Sequence, residues 1–90
     1  MSAMNHTQKA LQFPCEFPIK IMGRNTDTFQ SAIQAIVRKH VTSDAISYST
    51  QPSSGNKYLS ITATFTAQSK EQLDTLYREL HEHELVLMTL

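Results

Sequence analysis

The sequence predicts an α+β fold of the ferredoxin-like type, a βαββαβ sandwich with a four-stranded antiparallel sheet and two helices on one face. Three segments alternate apolar and polar residues, which is typical of half-buried strands, and a fourth, at the end of the chain, is an apolar run rich in residues that favour strands. Two further segments have apolar residues at helical spacing, one after the first strand and one after the third. Two right-handed crossovers on one sheet place both helices on the same side. The other side of the sheet, called the open face below, is left uncovered.

Length and composition indicate a single domain. The chain has 90 residues, of which 40% are hydrophobic and 18% are charged. These values suit a small globular domain and not a disordered chain. Residues 1–11 are polar and unpatterned, so we expect a flexible N-terminal tail followed by one domain over residues 12–90.

Charge and cysteine content argue against several classes of function. Eight basic and eight acidic side chains cancel, so the chain as a whole does not attract nucleic acids or anionic membranes. One cysteine forms no internal disulfide and no Cys-rich zinc site. The first twelve residues hold no apolar signal core, and no run approaches eighteen apolar residues. We therefore expect a cytoplasmic protein that binds neither membrane nor nucleic acid.

The first strand and helix are marked by backbone-restricting residues. The strand alternates from Phe17, and Pro14 and Pro18 belong at its start or on an unpaired side, because proline has no N–H to donate. Gly23 is expected to let the chain turn out of the strand. Thr26 is expected to cap the first helix. The apolar stripe of this helix comprises Phe29, Ile33, Ile36, Val37 and His40.

The second half of the chain is expected to form a hairpin, a helix and a last strand. AISYSTQ and KYLSITATFTA alternate and are joined by PSSGN, which is rich in turn residues. Ser69 followed by Gln72 fits a capping box at the start of the second helix. The apolar stripe of that helix comprises Leu73, Leu76, Tyr77 and Leu80. The last strand is expected to begin at Leu85.

Three segments resemble the YbeD-like family of small bacterial proteins, a family of unknown function. They are FPCEFPIKIMG, PSSGNKYLSIT and EQLDTLYRELHEHELVLMTL, and the likeness covers residues 12–90. The resemblance implies an ACT-like fold, after the domains that regulate enzymes of amino-acid metabolism, and it supplies no catalytic residue. Two positions depart from the family. Gly55 directly follows Ser54, one position early, and Leu87 stands where relatives tend to have lysine.

The junction between the first strand and the first helix is a candidate ligand site. Gly23, Arg24, Asn25 and Thr26 combine a helix N-terminus with an arginine, a combination that can hold an anion. In ACT domains the same junction contributes to effector sites, so the resemblance points here as well. The structural alternative is a capped helix beside a solvated arginine.

Reactive and metal-binding side chains give weaker signals. Cys15 has no cation or helix N-terminus nearby in sequence to activate its thiol, so we expect an incidental cysteine. His81 and His83 are two residues apart and do not face each other on a helix. We therefore expect no catalytic residue, no metal and no cofactor.

The open face is the other candidate site. Its expected members are Lys20, Met22, Ser47, Ser49, Tyr58, Ser60, Thr62, Thr64, Leu85, Leu87 and Thr89. Tyr58 is the one aromatic among the third-strand residues expected on this face, which is therefore a poor platform for stacking RNA bases. We expect Tyr58, Ser60, Thr62, Leu85 and Leu87 to form an interface with a partner protein or, weakly, with a second copy. The leading hypothesis is a non-enzymatic regulatory or adaptor domain; the alternative is a sensor of amino acids or carboxylates at the junction.

Overall fold

The computed structural model describes residues 12–42 and 45–90 and has the expected βαββαβ order. The elements are β1 (Cys15–Arg24), α1 (Asp27–His40), β2 (Ser47–Pro52), β3 (Tyr58–Ala67), α2 (Lys70–Glu82) and β4 (Val86–Thr89). The antiparallel sheet has the order β2-β3-β1-β4. The predicted fold class is confirmed. The tail expected over residues 1–11 lies outside the described residues.

Both helices begin at the predicted caps. The Thr26 hydroxyl accepts a hydrogen bond from the Phe29 N–H at 3.0 Å, and the Ser69 hydroxyl accepts one from the Gln72 N–H at 3.1 Å. The Gln72 side chain accepts from the N–H of residue 68, one position before the cap, and donates to the carbonyl of His40 at 2.8 Å. The second cap therefore also ties the start of α2 to the end of α1. Within the described ranges, no helix is long and apolar enough to cross a membrane.

The core lies between the sheet and the two helices. The side chains of Phe29 and Leu76, expected beneath the sheet, are 1% and 0% exposed. They pack with the inward side chains of β1 and β3, and Phe17 and Phe65 face each other across these strands with ring centroids 6.5 Å apart. The buried cluster comprises Ile19, Ile21, Phe29, Ile33, Ile36, Val37, Val41, Leu59, Ile61, Ala63, Phe65, Ala67, Leu73, Leu76 and Leu80.

Pro18 lies inside β1 with its ring nitrogen toward an unpaired edge. The N–H and C=O of Lys20 both bond to Leu90, on the β4 side, at 3.3 and 2.8 Å. Backbone groups alternate along a strand, so Pro18 points to the same side as Lys20. Among the described residues, none pairs with Pro18 there, as expected for this proline. Its missing donor also discourages unwanted pairing at that edge.

Gly23 has a different role from the one predicted. It lies within β1, paired with Leu59 on one side and Val86 on the other, so the chain does not turn at this position. A Cβ atom on Gly23 would lie 2.4 Å from the Phe29 ring and 2.7 Å from the backbone carbonyl oxygen of Leu85. Glycine is therefore needed at this position, because the Phe29 ring and the Leu85 carbonyl oxygen occupy the space that a side chain would fill.

The hairpin between β2 and β3 closes through a short 3₁₀ turn over Ser54–Asn56. Gly55 and Asn56 have φ angles of 83° and 61°, the left-handed region that glycine and asparagine tolerate best. The Ser53 hydroxyl accepts from the Tyr58 N–H at 3.0 Å, and the Ser53 N–H donates to the Tyr58 carbonyl at 2.9 Å. The early glycine is thus accommodated without displacing Tyr58 from the start of β3.

The last strand begins one residue later than predicted and contains a bulge. Met88 pairs with Met22, but Val86 pairs with Gly23, so Leu87 is the extra residue. The expected placement of Leu85 and Thr89 on the open face is wrong. Leu85 is half-buried against the core, and Thr89 lies opposite Ile21 with its hydroxyl in contact with His81 of α2.

Candidate functional site

The open face consists of rows of side chains that cross the sheet. One row contains Lys20, Thr62 and Ser49, which the strand register places side by side. The next row contains Met88, Met22, Ser60 and Gln51. A third pairs Arg24 with Tyr58 at the end of the sheet near the hairpin. Polar hydroxyls therefore dominate β2 and β3, whereas the side toward β4 is apolar.

These rows form a shallow depression of about 650 Å³. Its lining includes Lys20, Met22, Ser49, Gln51, Tyr58, Ser60 and Thr62. Hydroxyl groups both donate and accept hydrogen bonds, and the lysine ammonium only donates. The lining contains no carboxylate. The depression is therefore suited to a group that accepts hydrogen bonds and carries negative charge.

Apolar side chains border this depression along β4. Met22 lies between Ser60 of β3 and Met88 of β4. Leu87, Met88 and Leu90 are 57%, 50% and 67% exposed, and they are the large hydrophobic side chains that the described part of the chain exposes. The open face and the outer edge of β4 thus form one continuous surface, polar in the middle and apolar at one side.

Positive charge collects on the sheet side of the molecule. Lys20 and Arg24 lie on the open face, and the Lys57 ammonium lies 5.6 Å from the centre of the Tyr58 ring. In the part of the chain that the structure describes, none of these three cations has an ion pair. The acidic side chain of the strands is Glu16, which lies on the open face four residues before Lys20, so the cations outnumber the carboxylates there.

The helix layer has the opposite balance. The acidic residues of α1, α2 and the turn after α2 are Asp27, Glu71, Asp74, Glu79, Glu82 and Glu84. The basic residues of the two helices are Arg38, Lys39, Lys70 and Arg78. The neutral net charge of the chain therefore conceals a basic sheet side and an acidic helix side.

The predicted ligand junction is largely occupied by internal contacts. Gly23 is buried against the Phe29 ring, and the Thr26 hydroxyl is the helix cap. The Asn25 N–H donates to the carbonyl of Lys57 at 3.0 Å, and its side-chain amide contacts the carbonyl of residue 56 at 3.3 Å. Arg24 is exposed and belongs to the open face. The contacts of the junction residues thus chiefly connect the end of β1 to the hairpin between β2 and β3.

The remaining reactive side chains make contacts of a structural kind. The thiol of Cys15 is half-buried against the core. His40 bonds to Glu79 at 2.7 Å and so joins α1 to α2; this bond and Lys39 hold the pKa of Glu79 below its ordinary value. His83 accepts from the N–H of residue 85 at 3.1 Å. Among the residues described, no group of three acids, histidines or cysteines could hold a metal ion.

Sequence reasoning placed Tyr58, Ser60 and Thr62 on the open face, and the structure puts them there. It missed Met88, because the bulge at Leu87 moves the following residues to opposite faces. It also missed the separation of charge. Alternation predicts the face on which each charged residue of a strand lies, but the net charge of the chain does not show that one layer is basic and the other acidic.

Comparison with known proteins identifies close relatives across the whole chain. A family model described as "Protein of unknown function (DUF493)" matches residues 8–90. A UPF0250 protein of Paraburkholderia phytofirmans is 43% identical over 91 residues, covering 100% of both chains. A UPF0250 protein of Chromobacterium violaceum is 42% identical over 84 residues, covering 92% of this chain and 94% of the relative.

Structural likeness extends to more distant proteins. The solution structure of HP0495 from Helicobacter pylori has a TM-score of 0.72 at 13% identity, covering 90% of this chain and 86% of that one. The ACT domain from the GTP pyrophosphokinase of Chlorobium tepidum has a TM-score of 0.61 at 14% identity, covering 83% and 94%. At such low identity these comparisons establish a common fold, which is ACT-like.

Proposed function

This chain belongs to the family described as protein of unknown function (DUF493), and from its surface we propose that it is a non-enzymatic regulatory or adaptor domain. It acts by protein contact, and the contact surface is the open face together with the outer edge of β4. The observation that carries the proposal is the apolar border of Leu87, Met88 and Leu90, which is continuous with a hydroxyl-lined depression. Exposed apolar patches rimmed by polar groups mark sites of association.

The placement of the reactive side chains supports a non-enzymatic role. His40 and Glu79 join the two helices, His81 contacts Thr89, and the thiol of Cys15 lies half-buried against the core. Each of these groups has a structural contact that accounts for its position. The ACT-like fold supports a small regulatory module, since one of its structural neighbours is the ACT domain of a GTP pyrophosphokinase.

Partner capture with surface variants tests the proposal. We would immobilise the wild-type chain, Met88→Lys and Leu87→Lys, and identify proteins retained from a native extract by quantitative mass spectrometry. Lysine places a hydrated charge where a partner would bury an apolar side chain, so both variants should lose the retained proteins. Gln34→Lys is the matched control, because Gln34 is exposed on α1 in the opposite layer. The proposal is wrong if all three variants retain the same proteins as the wild type while circular dichroism shows them folded.

The metabolite-sensor alternative at Gly23, Arg24, Asn25 and Thr26 stays a prediction. A thermal-shift screen with amino acids and carboxylates tests it. A ligand at 100 times its Kd stabilises the fold by about 2.7 kcal/mol, which shifts the melting temperature of a domain this small by several degrees. Stabilisation that survives Met88→Lys but not Arg24→Ala would favour the sensor over the adaptor.

A further inference from the structure

The basic sheet side and its apolar border together define the kind of partner that the surface fits. We propose that the open face binds an acidic segment of a partner protein, with carboxylates against Lys20 and Arg24 and an apolar side chain against Met22 and Met88. This inference rests on the proposed function and names the chemistry of the partner.

Unpaired cations are the first argument. Lys20, Arg24 and Lys57 lie on or beside the open face, and none has an ion pair in the described ranges. Lysine and arginine form charge-assisted hydrogen bonds with carboxylates, as with phosphates, and these bonds are stronger than those between neutral groups. The hydroxyls of Thr62 and Ser49, in the same row as Lys20, donate further bonds to such an oxygen. A carboxylate therefore complements both the charge and the hydrogen-bonding groups of the depression.

The same charges disfavour a second copy on this face. In a two-fold symmetric dimer each surface meets itself, so two open faces with the same excess of positive charge would lie against each other. Like charges opposed across an interface disfavour association. In a symmetric face-to-face homodimer the strands of each copy would also offer Lys20 and Arg24 one carboxylate, that of Glu16, since the lining of the depression has none. A separate acidic partner removes both penalties.

Nucleic acid fits the surface less well than protein. Tyr58 is the aromatic side chain that lines the depression, and the Lys57 ammonium already lies 5.6 Å from its ring centre. Single-stranded nucleic acids are bound through several stacking aromatics as well as cations. A phosphate backbone also has no apolar group to cover Met22 and Met88, which pair directly across β1 and β4. An acidic protein segment with an apolar side chain satisfies both halves of the surface.

Selection from a random peptide library tests this inference without a known partner. The full chain is immobilised, twelve-residue peptides displayed on phage are selected, and the most enriched peptide is synthesised with a fluorescent label. Its affinity and association rate are measured by fluorescence at low and high salt. Amide shifts in nuclear magnetic resonance spectra locate the binding surface. We expect enriched peptides that combine Asp or Glu with Leu, Ile, Phe or Met and that shift the amides of β1 and β3.

Charge reversal supplies the decisive variants. Lys20→Glu and Arg24→Glu should each lower the association rate at low salt by about tenfold, because complementary charge accelerates encounter by 10- to 1,000-fold. High salt should reduce this difference. Arg78→Glu is the control, since it changes the net charge equally but lies exposed on α2 in the helix layer. It should alter the rate less than twofold. Lys20 and Arg24 are both exposed, so either variant alone serves if the other fails to fold.

Several outcomes overturn the inference. It is wrong if selection enriches nothing, if the enriched peptides are basic or lack acids, or if Arg78→Glu weakens binding as much as Lys20→Glu. It is also wrong if a twelve-nucleotide oligouridylate binds the same face more tightly than the peptide. If a partner is lost with Met88→Lys but retained with Lys20→Glu, the proposed adaptor function stands and the proposal that the partner is acidic is wrong. Retention of all partners by both variants would remove the adaptor function itself.

Discussion

Replacing Gly23 with alanine should destabilise the fold, although alanine normally suits a strand better than glycine. The added Cβ would lie 2.4 and 2.7 Å from two carbons of the Phe29 ring and 2.7 Å from the Leu85 carbonyl oxygen. Contacts below 3.0 Å require one of these groups to move. The ring is 1% exposed and packed in the core, and the oxygen belongs to the backbone that leads into β4. Neither group moves without disturbing its neighbours.

The expected cost follows from two opposing effects. Overpacking a well-filled core typically costs about 1–3 kcal/mol. Removal of glycine lowers the entropy of the unfolded chain and returns about 0.4–1 kcal/mol. The midpoints of these ranges, about 2 and about 0.7 kcal/mol, leave a net loss of about 1.3 kcal/mol in the free energy of unfolding for Gly23→Ala. For a domain of 60–100 residues each kcal/mol lowers Tm by roughly 4–8 °C, so a drop of about 5–10 °C should be visible.

Urea unfolding and a double-mutant cycle provide the assay. Phe29→Leu shortens the side chain that the new methyl group would strike, so Gly23→Ala should cost less in that background than in the wild type. Rescue should be partial, because the Leu85 carbonyl oxygen remains. A Gly23→Ala protein with an unchanged urea midpoint would refute the argument that close packing requires this glycine. Equal costs in both backgrounds would show that the ring is not the obstacle.

Three further predictions concern the core, the helix pair and the thiol. Phe29→Ala and Leu76→Ala should each lower the free energy of unfolding by about 2–5 kcal/mol in urea, because both side chains are fully buried. Glu79→Gln should cost about 0.2–1 kcal/mol at neutral pH. The bond from His40 holds the folded-state pKa of Glu79 below its ordinary value of 4.5, so this difference should be complete above that value. It should disappear as the pH falls through the folded-state pKa, and a difference that grows in acid would contradict it. Cys15→Ser should retain every captured partner, and loss of a partner from the folded variant would give the thiol a role.

Local signals in the sequence predicted most of the fold. The caps at Thr26 and Ser69 and the alternation of β3 depend on neighbouring residues alone, so they could be recognised without the tertiary structure. The role of Gly23 could not, because the Phe29 ring and the Leu85 carbonyl reach it from elsewhere in the chain.

The candidate site was less accessible to sequence reasoning. The extra residue at Leu87 moves Met88 to the open face and Thr89 to the helix side, and a bulge leaves no clear mark in a short apolar run. The basic surface depends on the layered arrangement that brings Lys20 and Arg24 to one side of the sheet. Net charge, summed over both layers, carries no information about it.

Site-specific photo-crosslinking in living cells tests the central claim most directly, that the open face is the protein's contact surface. A photoreactive amino acid would replace Thr62, which lies in the middle of that face, or Thr75, which is exposed on α2 as the control position. The account predicts discrete crosslinked products from position 62 that disappear with Lys20→Glu, and a crosslinked peptide rich in acidic and apolar residues. Products from position 75 with none from position 62 would contradict it.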